Sequence, residues 1–213
     1  VKTLSRIASV LTLVLLVCSC APKTTTPPIP PDVRLAVAGS FQPAHGWELM
    51  AGHLPEESSA VSPEAFGFMD REIASQLAQR KEAAPFIAPG VVRQCREILL
   101  AKQQRSRISA LSFWMDVARC IPADYLLVPY VFQWQKRQGN EWSVKQPAGL
   151  VFDLYLIDVV NETVRRAHYE EVQHSLSENM LDAGTFFKRK GKWITAEQMA
   201  REGVAKCLEE LGL

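Results

Sequence analysis

Residues 148–160, AGLVFDLYLIDVV, constrain the fold more than any other stretch of the chain. Side chains alternate across a strand, so Phe152, Leu154 and Leu156 share one face while Asp153, Tyr155 and Ile157 share the other. The run is therefore the strongest strand in the sequence. Residues 123–137, ADYLLVPYVFQWQKR, read as a second strand rich in Tyr, Val and Phe. Gln138-Gly139-Asn140 is a turn signal between the two. Asn161-Glu162 turns the chain into a third, more polar strand, TVRRAHYEEVQHS, at 163–175.

Ahead of this meander, residues 33–39, VRLAVAG, alternate as a strand. Ser62-Pro63-Glu64 opens a helix, with Ser as N-cap and Pro in the first turn. Phe66, Met69, Ile73 and Leu77 then recur at helical spacing. PFIAP at 85–89 reads as a short strand clipped by its prolines. Residues 91–102 and 108–118 read as helical segments broken near QQRSR. Thr195 caps the last helix, and Gln198 three residues on completes a capping box. Its buried stripe is Ala200, Val204, Cys207, Leu208 and Leu211. The order predicts an α/β fold: a mixed β-sheet made of two βα units, a β-meander and a C-terminal helix, with helices packed on it.

The beginning of the chain has a different character. Lys2 and Arg6 precede an uncharged run from Ile7 to Val17. A positive start followed by a short apolar run matches a secretory signal peptide. A membrane-spanning helix needs roughly 20 apolar residues, more than this run supplies. Val17-Cys18-Ser19-Cys20 resembles a bacterial lipobox, with a small residue immediately before the modified cysteine. By that resemblance Cys20 receives a diacylglycerol thioether, becomes the new N-terminus and carries acyl chains such as palmitate. Cys18 leaves with the signal. The alternative is a secreted protein with two ordinary cysteines. Ala21, standing where an Asp would retain a lipoprotein in the inner membrane, points to the outer membrane and its periplasmic face. Residues 1–19 thus read as signal, 20–32 as lipidated cysteine and Pro-rich tether, and 33–213 as one periplasmic domain. Extended polyproline geometry gives the tether a reach of roughly 35–40 Å.

The 213-residue chain has a net charge of +1, close to zero, which leaves no electrostatic footprint for nucleic acid. Cys95, Cys120 and Cys207 remain besides the anchor. Three is odd, so at most one disulfide forms, and none of the three has zinc-like spacing. They read as buried structural thiols, with a Cys95–Cys120 bridge as the alternative.

The stretches ADYLLVPYVFQW, GLVFDLYLIDVVNETVRRAHYEE and TAEQMAREGVAKCLEEL together resemble a known envelope domain. It is shared by the amino-terminal part of the periplasmic TolB protein, the curli-secretion lipoprotein and lipoproteins that activate peptidoglycan synthases. The matching positions are Ala123 to Leu127 and Leu154 to Asp158, and the resemblance covers about residues 33–213. The chain departs from the pattern at Pro129 and at Glu162, where the family often has Gly. The resemblance implies binding of other envelope components, or assembly, and brings no common catalytic residues. Fold alone does not decide which. Regulation of a peptidoglycan synthase and a place in a secretion or transport assembly are the two alternatives.

Catalytic and nucleotide-binding fingerprints are absent from the sequence, and the reading is of a protein that is not an enzyme and needs no cofactor or metal. His168, Glu170 and His174 lie on one strand face, but six residues at ~3.3 Å each put the two histidines too far apart to share an ion. Asp153 and Asp158 fall on opposite faces. Two stretches carry functional weight. The long connection 40–60 holds Phe41, Trp47, Leu49 and Met50, which either cover the domain's own sheet edge or bind a partner. FFKRKGKW at 186–193 sets Lys188, Arg189, Lys190 and Lys192 beside Trp193, as a membrane or acidic-glycan contact or as a solvated loop.

Mass spectrometry of the mature N-terminal peptide is expected to show an acylated Cys20 and no Cys18, and Cys20→Ala to release the protein from membranes. An unmodified N-terminus after another residue would overturn the lipobox reading.

Overall fold

The computed structural model describes residues 26–54, 60–79, 86–102, 109–173, 189 and 192–213. Its main sheet has four strands in the order β1-β2-β5-β6. They are β1 (Leu35–Val37), β2 (Tyr125–Gln135), β5 (Gly149–Asp158) and β6 (Thr163–Val172). β3 (Gln138–Gly139) and β4 (Val144–Gln146) form a separate small hairpin where only a turn was expected. The α-helices among the described residues are α1 (Pro63–Ala78), α2 (Pro89–Lys102), α3 (Ala110–Cys120) and α4 (Ala196–Leu211). This is the mixed α/β architecture that the sequence order predicts.

β1 pairs parallel with β2, whereas β2–β5 and β5–β6 are antiparallel. The centre of the sheet is buried on both faces. On one, Leu127, Phe152, Leu154 and Leu156 meet α1 and α4 in a first core. On the other, Leu126, Val128, Tyr130, Tyr155 and Ile157 meet α2 and α3 in a second. Burying a Leu or Phe side chain contributes about 1.5–3 kcal/mol, so the pairing of β2 with β5 concentrates much of the stabilisation. Ser62 and Ser109 cap α1 and α3, and the Thr195–Gln198 capping box forms as read.

Both departures from the family pattern have local explanations. The Pro129 carbonyl accepts from Phe41 N, so its missing N–H also faces the β1 side, where β1 has already ended. Glu162 adopts φ 54°, the left-handed conformation that favours glycine. Its carboxylate meets Arg119 at 2.6 Å.

The cysteines correct the first expectation. Cys95 and Cys120 form a disulfide, with Cα atoms 6.0 Å apart, and only Cys207 of the three is a free buried thiol. Cys95 lies on the inner face of α2 and Cys120 ends α3, so packing these two helices together brings the sulfurs into reach. Burial pushes the Cys207 thiol up to about 12, which keeps it protonated.

The bridge spans 25 residues. Loop-closure entropy for that length is about 3.5 kcal/mol. The Cys95→Ser/Cys120→Ser protein is expected to lose about that much in urea unfolding. An unchanged midpoint would show that the bridge does not hold α2 to α3.

Candidate functional site at the end of the sheet opposite the tether

The end of the tether belongs to the domain. Ile29 packs on the first core, and its N–H donates to the Gly212 carbonyl at 3.1 Å. Arg165 Nη1 donates to the carbonyls of Pro27 at 3.0 Å and Leu211 at 3.2 Å. Gly212 ends α4 at φ 80°, and a Cβ there would lie 2.6 Å from the Pro27 oxygen. Only glycine satisfies both the turn and the close approach of the tether. The beginnings of β1 and β2 meet at the same end. Hydrogen bonds from the Arg34 side chain and backbone hold the Asp124 carboxyl at about 2. That pair stabilises the fold above the ordinary carboxylate range and is lost as pH falls toward about 2.

Docking of Pro27 and Ile29 shortens the reach read from sequence. Seven Cα steps separate Cys20 from Pro27, which fully extended span at most about 25 Å. The ten residues of β5 alone run roughly 34 Å. A lipid on Cys20 would hold the Gly212 end within about 25 Å of a membrane.

The basic stretch sits at the opposite end of the sheet. The Trp193 N–H donates to the Glu141 carbonyl at 2.9 Å, and Gln173 bonds both the Lys192 carbonyl and the Ile194 N–H. Arg189 is nearly buried; it pairs with Glu171 on β6 and with Glu202 on α4 at 2.5 Å. Lys192 meets Glu141 at 3.0 Å and lies over the Trp142 ring. Lys188 and Lys190 lie outside the described residues, as do Cys20 and His174. Arg189 and Lys192 thus pair with acidic residues of their own domain.

The loop after β1 is fixed in place. Phe41 extends the strand, donating to Pro129 O at 3.4 Å and accepting from Val131 N at 3.0 Å. Its ring packs on Tyr130 and Trp114, with Arg96 over its other side. The buried Tyr130 hydroxyl, its pKa pushed up by burial, donates to Glu48 O at 2.8 Å and accepts from Trp114 Nε1 at 2.9 Å. Leu49 and Met50 pack on the second core. Phe41, Leu49 and Met50 thus cover part of the second core. Trp47 is 60% exposed, and its ring stacks on His45.

A cavity of about 300 Å³ opens beside this loop. Ile87 bridges β1 in parallel on the side away from β2. The chain leaves β1 for α1 on one face and leaves Ile87 for α2 on the other. That divergence is a topological switch point, and open α/β sheets bind ligands beyond the carboxyl ends of strands at such points. Here Gly39 and Ser40 form the floor, Phe66 and Asp70 of α1 one wall, and Arg93 and Arg96 of α2 the other. Asp70 accepts from Ser40 N at 2.7 Å through one oxygen. Among the described residues neither arginine has an acidic partner and Asp70 has no basic one. The Ser40 hydroxyl is buried without a hydrogen-bond partner among them.

Sequence reading did not single out these four polar residues. They come from three separate segments, and the only local sign was a Gly-Ser pair closing a strand. It also left His168 on a solvated strand face. His168 is half exposed, but its Nδ1 lies 2.7 Å from fully buried Asp153, which also accepts two bonds from Arg166 and one from Tyr155. No group of three metal-binding side chains occurs among the described residues.

No family model and no curated protein matches the chain. Similar solved structures include a PelC dodecamer from Paraburkholderia phytofirmans, 18% identical, covering 89% of this chain and 94% of that one with a TM-score of 0.49. The LpoB C-terminal domain from Salmonella enterica is 12% identical, covers 66% and 83%, and has a TM-score of 0.37. Lipoprotein GNA1162 from Neisseria meningitidis is 12% identical over 74% and 98%, with a TM-score of 0.37. The likeness to these lipoprotein and LpoB domains is one of fold.

Trp47→Ala is expected to leave the unfolding midpoint within about 0.5 kcal/mol of the parent, as for an exposed side chain. Phe41→Ala is expected to cost about 3 kcal/mol, as for a packed aromatic. Equal effects in chemical denaturation would show that Trp47 too is part of the core.

Proposed function

We propose that this is an exported bacterial lipoprotein, anchored through Cys20 to the periplasmic face of the outer membrane. In this reading it binds another envelope component without transforming it. The observation that carries the reading is the docking of Pro27 and Ile29 at the Gly212 end. With the anchor there, Trp142 would lie at the far end of the sheet and Trp47 and the switch-point cavity beside its middle, all clear of the attachment point. The Cys95–Cys120 disulfide supports export, because such bonds persist in the oxidising periplasm and are rare in the cytosol. Exposed Trp at the far end supports protein or glycan binding, since aromatic anchors dominate many interfaces.

A photo-reactive amino acid placed at Trp47, or at Val160 in the exposed β5–β6 turn beside the tether, tests this in intact cells. Envelope adducts are expected from position 47 and no protein adducts from position 160. Adducts with a peptidoglycan synthase would specialise the role to synthase regulation, and adducts with a pore or transport component to secretion. Protein adducts from 160 alone would overturn the proposed orientation and the role built on it.

A further inference from the structure

We propose that the switch-point cavity binds a single acidic sugar residue, such as a uronic acid unit of a glycan. The inference rests on the binding role above and deepens it by naming what the cavity takes. Three observations converge on it. The cavity, about 300 Å³, is at the small end of ligand pockets and suits one sugar ring rather than a larger ligand. Its charged lining is Arg93, Arg96 and Asp70, a formal balance of one positive charge. A ligand with one net negative charge complements that balance; a zwitterion does not. The polar groups also match sugar chemistry. The two guanidinium groups, three residues apart on α2 and with no acidic partner among the described residues, are suited to one carboxylate. Asp70 keeps an oxygen that Ser40 N does not use, an acceptor for a sugar hydroxyl. Phe66 and Trp114 add aromatic surface for the C–H face of a ring.

Two of the three charged groups around the cavity are held in place. Arg96 lies over the Phe41 ring at 5.1 Å, and Asp70 is tied to the backbone of the β1 exit. The ordering cost on binding is therefore small, and preorganised donors are what let a small ligand bind at all.

The test uses the full chain in detergent micelles, with backbone amide shifts of Gly39, Ser40 and Gly67 as the readout. Glucuronate is the probe; glucose, alanine and inorganic phosphate are the comparisons. Saturable shifts at these amides are expected with glucuronate, at least tenfold weaker with glucose and alanine. Arg93→Gln, exposed on α2, is expected to weaken glucuronate at least tenfold at an unchanged melting temperature. Arg96→Gln should act in the same sense. Phosphate binding as tightly as glucuronate, with the same Arg93 dependence, would overturn the sugar assignment in favour of a bare anion site. No shifts with glucuronate, or equal shifts with glucose, would overturn the proposal outright. Envelope adducts from position 47 in cells, found alongside a silent cavity, would sink this inference and leave the binding role standing.

Discussion

β5 is buried on both faces, and the architecture around it follows. A strand apolar on one side can leave its other face to water. A strand carrying Phe152, Leu154 and Leu156 on one face and Tyr155 and Ile157 on the other requires helices on both. The connections leaving β1 and Ile87 must then part, one to each layer. The crevice at their divergence is a consequence of covering the sheet twice, and the cavity occupies it. A fold with all its helices on one face would have no such opening.

The second face is covered only in part. α2 and α3 lie over β1 and β2, so the β6 half of that face meets water and is polar. Asp153 sits at the boundary, fully buried, and an isolated carboxylate there would cost several kcal/mol. Arg166, His168 and Tyr155 supply four hydrogen bonds that offset the desolvation. The cluster ties β5 to β6 where no helix does. All four residues are accounted for by this structural role, which separates them from Arg93, Arg96 and Asp70.

The elements that were legible in sequence are those with local signals. β5 and β6 announce themselves by alternation and by the turn between them, and α1 and α4 by caps followed by apolar residues at helical spacing. Two features had no local signal to decide them, the bridge standing in sequence only as the alternative and the cavity not at all. The Cys95–Cys120 bridge depends on how two helices lie against each other, and the cavity collects Ser40, Asp70, Arg93 and Arg96 from three segments. Neither leaves a periodic or spaced pattern along the chain. In the basic stretch, composition is incomplete in another way. Its composition fits a headgroup contact, yet Arg189 is consumed by Glu171 and Glu202, partners 18 and 13 residues away. Composition gives the charge of a segment; only packing says whether that charge is still available.

The tether carries the same lesson to the scale of the whole protein. Read as composition, residues 21–32 are a proline-rich spacer that would let the domain meet its surroundings in many orientations. Docked at Gly212 and Arg165, the last part of that spacer becomes a structural element, and the freely spanning length falls below the length of the sheet. A lipid on Cys20 would hold the Pro27 end within about 25 Å of its leaflet, and the sheet, roughly 34 Å long, would swing about that attachment. Trp47 and the cavity lie together beside the middle of β2 because both grow from the chain as it leaves β1, which ends opposite Leu127. The parallel pairing of β1 with β2 places that exit opposite Arg34 and Asp124, and so opposite the tether.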